Sequence, residues 1–208
     1  MVRVTTSQEA YGLPRTGTAK DCPHDLGGDG CLHYIMTIQD YVAHPENSDS
    51  SNRLPEIFLS GEVHGNERVG PTSVMEAATL LLEAASCEAT SNKKTATHDA
   101  FTSEIRAAKS CRQKLIEKGV SDKHRQWLAR LVSTRRVVII PTANALGYFR
   151  NKREEDGIDP NRDFPFDVLD PKACMQTIAG RTINEVYREH MFQLSLTFHG
   201  GTEVIGYE

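Results

Sequence analysis

The chain has 208 residues, 25% charged and 38% hydrophobic, with a net charge of −4 and a pI near 6.1. That length buries a core as one domain, and the composition is ordinary for a globular protein. With no basic stripe or polybasic run, nucleic acid and anionic membrane are disfavoured as partners, and no apolar stretch is long enough to cross a bilayer.

Residues 2–8 alternate weakly between apolar and polar and read as a strand. They lack the apolar core of a signal peptide, which leaves the compartment open. Cys22 and Cys31 close a loop rich in Gly and Asp. A bridge between them and a set of free thiols are equally weighted readings, and the odd count of five cysteines leaves at least one thiol over. No CxxC pair occurs, so a thiolate zinc site is disfavoured. Residues 33–42 read as a second strand. Residues 57–63, short and without polar alternation, read as a strand buried on both faces. Pro71 then opens a helix with Val74, Ala77, Ala78, Leu81 and Leu82 at helical spacing.

The stretch from 85 to 134 changes character and reads as a helical insertion or covering layer, not a second domain. Phe101, Ile105, Ala108, Leu115 and Ile116 mark one helix, and Trp127, Leu128, Leu131 and Val132 another. Residues 136–141 restore the core pattern as a strand. A polar loop follows from Thr142 to Asp170. Met175, Ile178, Ala179, Ile183, Val186 and Tyr187 form one helix face, and residues 194–198 a last buried strand. Strands alternating with helices predict an α/β sheet covered by helices, in one domain over 1–208.

The unusual residues follow the C-terminal ends of these strands. His64 and Glu67 follow 57–63, a polar loop follows 136–141, and His199 follows 194–198. Open α/β sheets bind ligands beyond the strand C-termini, so three strand ends would deliver these residues to one place. A His and a Glu three apart, with a distant His, make a three-ligand set for a catalytic zinc with an open fourth position. HxxE by itself is a common pattern, and the signal is the joint placement. In Asp159-Pro160-Asn161-Arg162-Asp163-Phe164-Pro165, the adjacent amide and guanidinium suit a carboxylate. The competing reading is a surface loop salt-bridged to Glu154, Glu155 and Asp156.

Gly-Glu-Val-His-Gly-Asn-Glu, Asp-Pro-Asn-Arg-Asp-Phe-Pro and Thr-Phe-His-Gly-Gly, in this order, resemble the zinc carboxypeptidases (the M14 metallocarboxypeptidases). The resemblance runs from about residue 2 to the end and is weakest around 85–130. It implies a mixed, mostly parallel central sheet covered by helices, with the C-terminal part incomplete. It implies one Zn2+ per chain held by His64, Glu67 and His199, with Asp159 hydrogen-bonded to the first zinc histidine. It further implies that Asn161 and Arg162 grip a substrate's C-terminal carboxylate. Arg153, or Arg150 as the alternative, would polarise the scissile carbonyl. The substrates would be peptide or protein C-termini.

The family also carries a closing Tyr and a general-base Glu after the last zinc ligand. This sequence has nine residues beyond His199, and Glu203, Tyr207 and Glu208 lie too close to it to match them. The resemblance therefore implies a fragment truncated at both ends, with the metal site and clamp present, little or no peptidase activity, and poor solubility from an open sheet edge. Two alternatives stand beside it. One is a zinc amidohydrolase that deacylates N-acyl amino acids. The other is a non-catalytic pseudoenzyme that binds peptide C-termini. Relatives are commonly secreted, lysosomal or membrane-associated.

Overall fold

The computed structural model describes residues 1–23, 28–92, 110–165, 169, 174–201 and 204–206. The expected helix around Phe101, Ile105 and Ala108 lies outside these residues, as do Glu203, Tyr207 and Glu208. In chain order the elements are β1 (Val2–Thr6), α1 (Ser7–Tyr11), β2 (Tyr34–Ile38), α2 (Asp49–Asn52), β3 (Glu56–Gly61) and α3 (Val69–Asn92). Residues 110–117 are helical (α4). There follow α5 (Asp122–Thr134), β4 (Arg136–Ile140), α6 (Ala145–Arg150), a 3₁₀ turn (Pro160–Arg162), α7 (Ile178–Glu189) and β5 (Phe192–Phe198). The strands form one open mixed sheet in the order β1-β2-β4-β3-β5. No helix among the described residues is long and apolar enough to cross a membrane.

By packing, the chain divides into two compact units. One comprises Arg3–Thr37, Glu56–Met75 and Val138–Glu208, and holds most of the sheet. Its core gathers Ile35 of β2, Phe58 of β3, Val138 and Ile140 of β4, and Ile183 and Val186 of α7. Those α7 residues share one stripe of an amphipathic helix, so one face closes over the sheet. Tyr187 and Phe192 flank Phe58, with ring centroids 5.1 and 5.2 Å away. The same unit carries the disulfide Cys22–Cys31, so of the two readings left open the bridge is the one realised.

Helix α1 was not foreseen, although its start is written in the sequence. Thr6 accepts from Glu9 N–H and the Glu9 carboxylate accepts from Thr6 N–H, a complete capping box that ends β1 early. Strand β5 runs parallel to β3, with Ile57 opposite Leu194 and Leu59 opposite Leu196. A bulge between Glu56 and Ile57 absorbs one residue, and the Gln193 side chain accepts from Glu56 N–H there. The sequence reading of a buried last strand needs correction. β5 pairs on one side only among the described residues, and Leu194 and Leu196 are 49% and 43% exposed.

The other unit comprises Met1–Val2, Ile38–Pro55 and Glu76–Val137. Its helix α5 buries Arg125, Leu128 and Val132. Trp127, expected on the packed face, is instead half-exposed beside the His124 ring. The buried guanidinium of Arg125 pairs with Glu88 and Asp122. Arg136 donates to Gln39 Oε1 at 2.9 Å and to Ser51 Oγ at 2.7 Å. A second disulfide, Cys87–Cys111, joins α3 to α4; the sequence offered no spacing that singled it out.

Candidate metal centre

Three backbone devices bring the expected ligands together. Strand β3 ends at Gly61, where a Cβ would lie 2.6 Å from both Gly70 C and Pro141 O, so only glycine lets these segments meet. Gly65 sits against α6, where a Cβ would come within 2.1 Å of Gly147 C. His64 and Glu67 are then joined by a tight turn, with Glu67 N–H donating to the His64 carbonyl at 3.0 Å. His199 arrives from the end of β5, and Gly200 N–H donates to Glu67 Oε2 at 3.0 Å.

The side chains converge. His64 Nδ1 lies 2.8 Å from Glu67 Oε1, His199 Nδ1 lies 2.7 Å from Glu67 Oε2, and the two Nδ1 atoms are 3.1 Å apart. Four-coordinate zinc with bonds of about 2.0–2.1 Å sets neighbouring ligand atoms roughly 3.3 Å apart. The two short carboxylate contacts use different Glu67 oxygens, and a set with one ligand atom from each residue falls within 4.8 Å. His64, Glu67 and His199 also form the group of potential metal ligands found among the described residues. The donor set of two imidazoles and one carboxylate suits zinc, so the residues present fit the ion.

The surroundings orient these ligands. His64 Nε2 faces Asp159 Oδ1 at 3.1 Å, which turns Nδ1 toward the cluster. Asp159 is held in turn by Asn161 N–H at 2.9 Å and by Arg153, whose Nε and Nη2 donate to Oδ2 at 3.0 and 2.9 Å. Burial pushes the Asp159 carboxyl up, but Arg153, Asn161 N–H and His64 outweigh it and leave it below the usual range. Burial likewise pushes the Glu67 carboxyl up, and Gly200 N–H with the two histidines draws it below the usual range. Both groups are therefore held as anions, the form a metal requires.

Arg153 and Arg150 behave differently. Arg153 Nη1 lies 3.5 Å from Glu67 Oε1, at the rim of the cluster. Arg150 donates through Nε and Nη2 to Asp21, both at 2.9 Å, and through Nη1 to Asp156 at 2.8 Å. Of the two, Arg153 is the one beside the cluster of His64, Glu67 and His199. Asn161 and Arg162 sit on the 3₁₀ turn, Asn161 half-buried and Arg162 exposed, with Arg162 Nη1 donating to the Asn161 carbonyl at 3.0 Å.

Glu62 was missed by sequence reasoning. It is fully buried at a left-handed φ of 57°, and neither carboxylate oxygen has a hydrogen-bond partner among the described residues. Burial pushes its carboxyl up to about 8; Arg68 opposes that shift and Glu67 adds to it. Asn144 was missed as well. Its side chain caps α6 through Gly147 N–H at 2.8 Å and donates to the Arg153 carbonyl at 3.1 Å. The same carbonyl accepts from Gly65 N–H at 3.2 Å, which fixes the Arg153 backbone against the 64–67 turn.

No protein-family model matches the chain, and no curated protein does so either. Solved structures do share its architecture. A protein from Burkholderia mallei ATCC 23344 that is named as a carboxypeptidase superposes with a TM-score of 0.53 at 12% identity, covering 96% of this chain and 35% of that one. A metallo-carboxypeptidase from Burkholderia cenocepacia gives 0.49 at 12% identity, covering 96% and 36%. An aspartoacylase family protein from Mesorhizobium loti gives 0.43 at 15% identity, covering 95% and 40%. The fold is thus a carboxypeptidase-like α/β fold. The chain spans about a third of the length of the first of these structures.

Proposed function

We propose that this chain carries the zinc site and the carboxylate clamp of a metallocarboxypeptidase that removes C-terminal residues from peptides. The observation that carries the reading is the convergence of His64, Glu67 and His199, with Asp159 seated behind His64. Zinc, when bound, would polarise the scissile carbonyl and make water a nucleophile near neutral pH. The remaining roles belong to the chain's own side chains. Asp159 holds the His64 ring, and Arg153 places positive charge at the rim, where an oxyanion would develop. Asn161 and Arg162 offer an amide and a guanidinium two and three residues beyond Asp159, which suits a free C-terminal carboxylate.

The test compares N-blocked dipeptides, their C-terminal amides and N-acetyl amino acids on the zinc-loaded chain. The reading predicts acid-selective recognition of dipeptides, lost in Arg162→Ala, with any turnover lost in His64→Ala. His64-dependent turnover confined to N-acetyl amino acids would assign a deacylase instead. Acid-selective binding without turnover would assign a binding module. Absence of any acid-over-amide preference would remove the clamp.

A further inference from the structure

Two more carboxylates lie outside the metal cluster, and the chemistry above does not use them. Glu155 and Asp163 are 4% and 1% exposed, and both are aimed at the N-terminus of α7. Glu155 Oε1 accepts from Ile178 N–H at 2.5 Å, and Oε2 accepts from Ala179 N–H at 3.1 Å. Asp163 Oδ1 accepts from Gln176 N–H at 2.9 Å, and Oδ2 accepts from the Thr177 N–H and hydroxyl, each at 2.7 Å. The Asp163 carbonyl also accepts from Met175 N–H at 2.7 Å.

A helix start leaves its first N–H groups unpaired and favours negative charge. Here Thr177 already caps the helix, its hydroxyl accepting from Gly180 N–H at 3.0 Å. That hydroxyl serves one N–H only, and the Thr177, Ile178 and Ala179 N–H groups are left to the two carboxylates, which repays part of the cost of burying them. The same bonds tie a second segment of chain to the helix. Between them run Asp159, Asn161 and Arg162, and Arg153 lies two residues before Glu155. The segment is short and turns tightly. Asp156 and Gly157 have φ of 48° and 87°, and Glu155 and Ile158 exchange both backbone bonds, at 2.9 and 3.1 Å. Helix α7 is itself fixed, because Ile183 and Val186 are part of the core.

We infer that Glu155 and Asp163 are positioning residues that seat the 155–163 segment on α7 and thereby set where Asn161 and Arg162 meet a substrate carboxylate. The inference rests on the clamp reading above. Glu155→Gln keeps the shape but turns an amide NH2 toward a backbone N–H, and Asp163→Asn does the same at the other anchor.

The test titrates N-acetyl-L-phenylalanine and its C-terminal amide into the zinc-saturated chain by calorimetry, well below the melting temperature of each variant. Misplacing a binding group by about an ångström costs one to two orders of magnitude in the best-aligned sites, so we expect each variant to lose about tenfold of the acid-over-amide preference. A role in stability alone would lower the melting temperature and leave that preference intact. Either folded variant keeping the full preference, while Arg162→Ala loses it, overturns the inference and leaves the clamp standing. Arg162→Ala keeping the preference removes the clamp and the inference together.

Discussion

Gly65→Ala should damage both the fold and the metal site. The added Cβ would sit 2.1 Å from Gly147 C and 2.4 Å from Gly147 Cα and Tyr148 N. The first separation is roughly 1.4 Å inside ordinary carbon–carbon contact. The obstacle is helix backbone and not the tip of a flexible side chain, so the metal loop and α6 must part by about that amount. Overpacking of this kind costs about 1–3 kcal/mol, and in a chain of this size each kcal/mol lowers Tm by about 2–4 °C. The shift also reaches the chemistry, because Gly65 N–H and the Asn144 amide hold the Arg153 carbonyl at 3.2 and 3.1 Å. Displacing His64 relative to Glu67 should weaken zinc by about 10- to 100-fold, the range seen when support of a ligand is lost. Thermal melting and chelator competition measure the two effects. Gly206→Ala is the control, since a Cβ there meets nothing within 4 Å among the described residues. If Gly65→Ala matched that control in both assays, the close approach of the metal loop to α6 would be refuted.

Two further outcomes follow from buried groups. Glu62 is fully buried and its carboxyl is raised to about 8, so folding holds a proton that the unfolded chain releases above about pH 4.3. Its cost therefore grows from about pH 4 upward and levels off above the folded value. Glu62→Gln should raise the Tm of the metal-free chain, and by more at pH 8 than at pH 5; an equal gain at both pH values would contradict the account. The Cys87–Cys111 bridge spans 24 residues of sequence, and a loop of that size restricts the unfolded chain by about 3 kcal/mol. Cys111→Ser should lose about that much in denaturant melts, and a change near zero would contradict a stabilising role for the bridge.

Much of the fold was legible because the chain writes buried strands as unbroken apolar runs. Residues 57–63 and 136–141 fall on β3 and β4, and the Val74, Ala78 and Leu81 spacing falls on α3. The boundaries moved where local chemistry competed with pattern. Helix α3 begins at Val69, ahead of Pro71, and Met175 lies outside α7 at a φ of 53° because Thr177 caps that helix. Helices α1 and α6 were missed because both are too short for periodicity, although Thr6-x-x-Glu9 and Asn144 are cap signals visible in the sequence. The apolar character of β5 was visible, but its exposure was not, since exposure depends on which strands flank it. The meeting of His64, Glu67 and His199 was legible because strand ends converge in such sheets. The orphaned Glu62 and the anchors Glu155 and Asp163 were not, because their roles depend on backbone N–H groups and burial that no spacing records.

The proposed function stands or falls with a zinc site built by His64, Glu67 and His199. It is tested most directly by metal analysis after dialysis against zinc, joined to X-ray absorption at the zinc edge, on the chain and on its His199→Ala and Asp159→Asn variants. The account predicts one zinc per chain with nitrogen and oxygen ligands and no sulfur, loss of zinc in His199→Ala, and affinity about 10- to 100-fold weaker in Asp159→Asn. Zinc no higher in the parent chain than in His199→Ala, or a sulfur ligand in the spectrum, would contradict it.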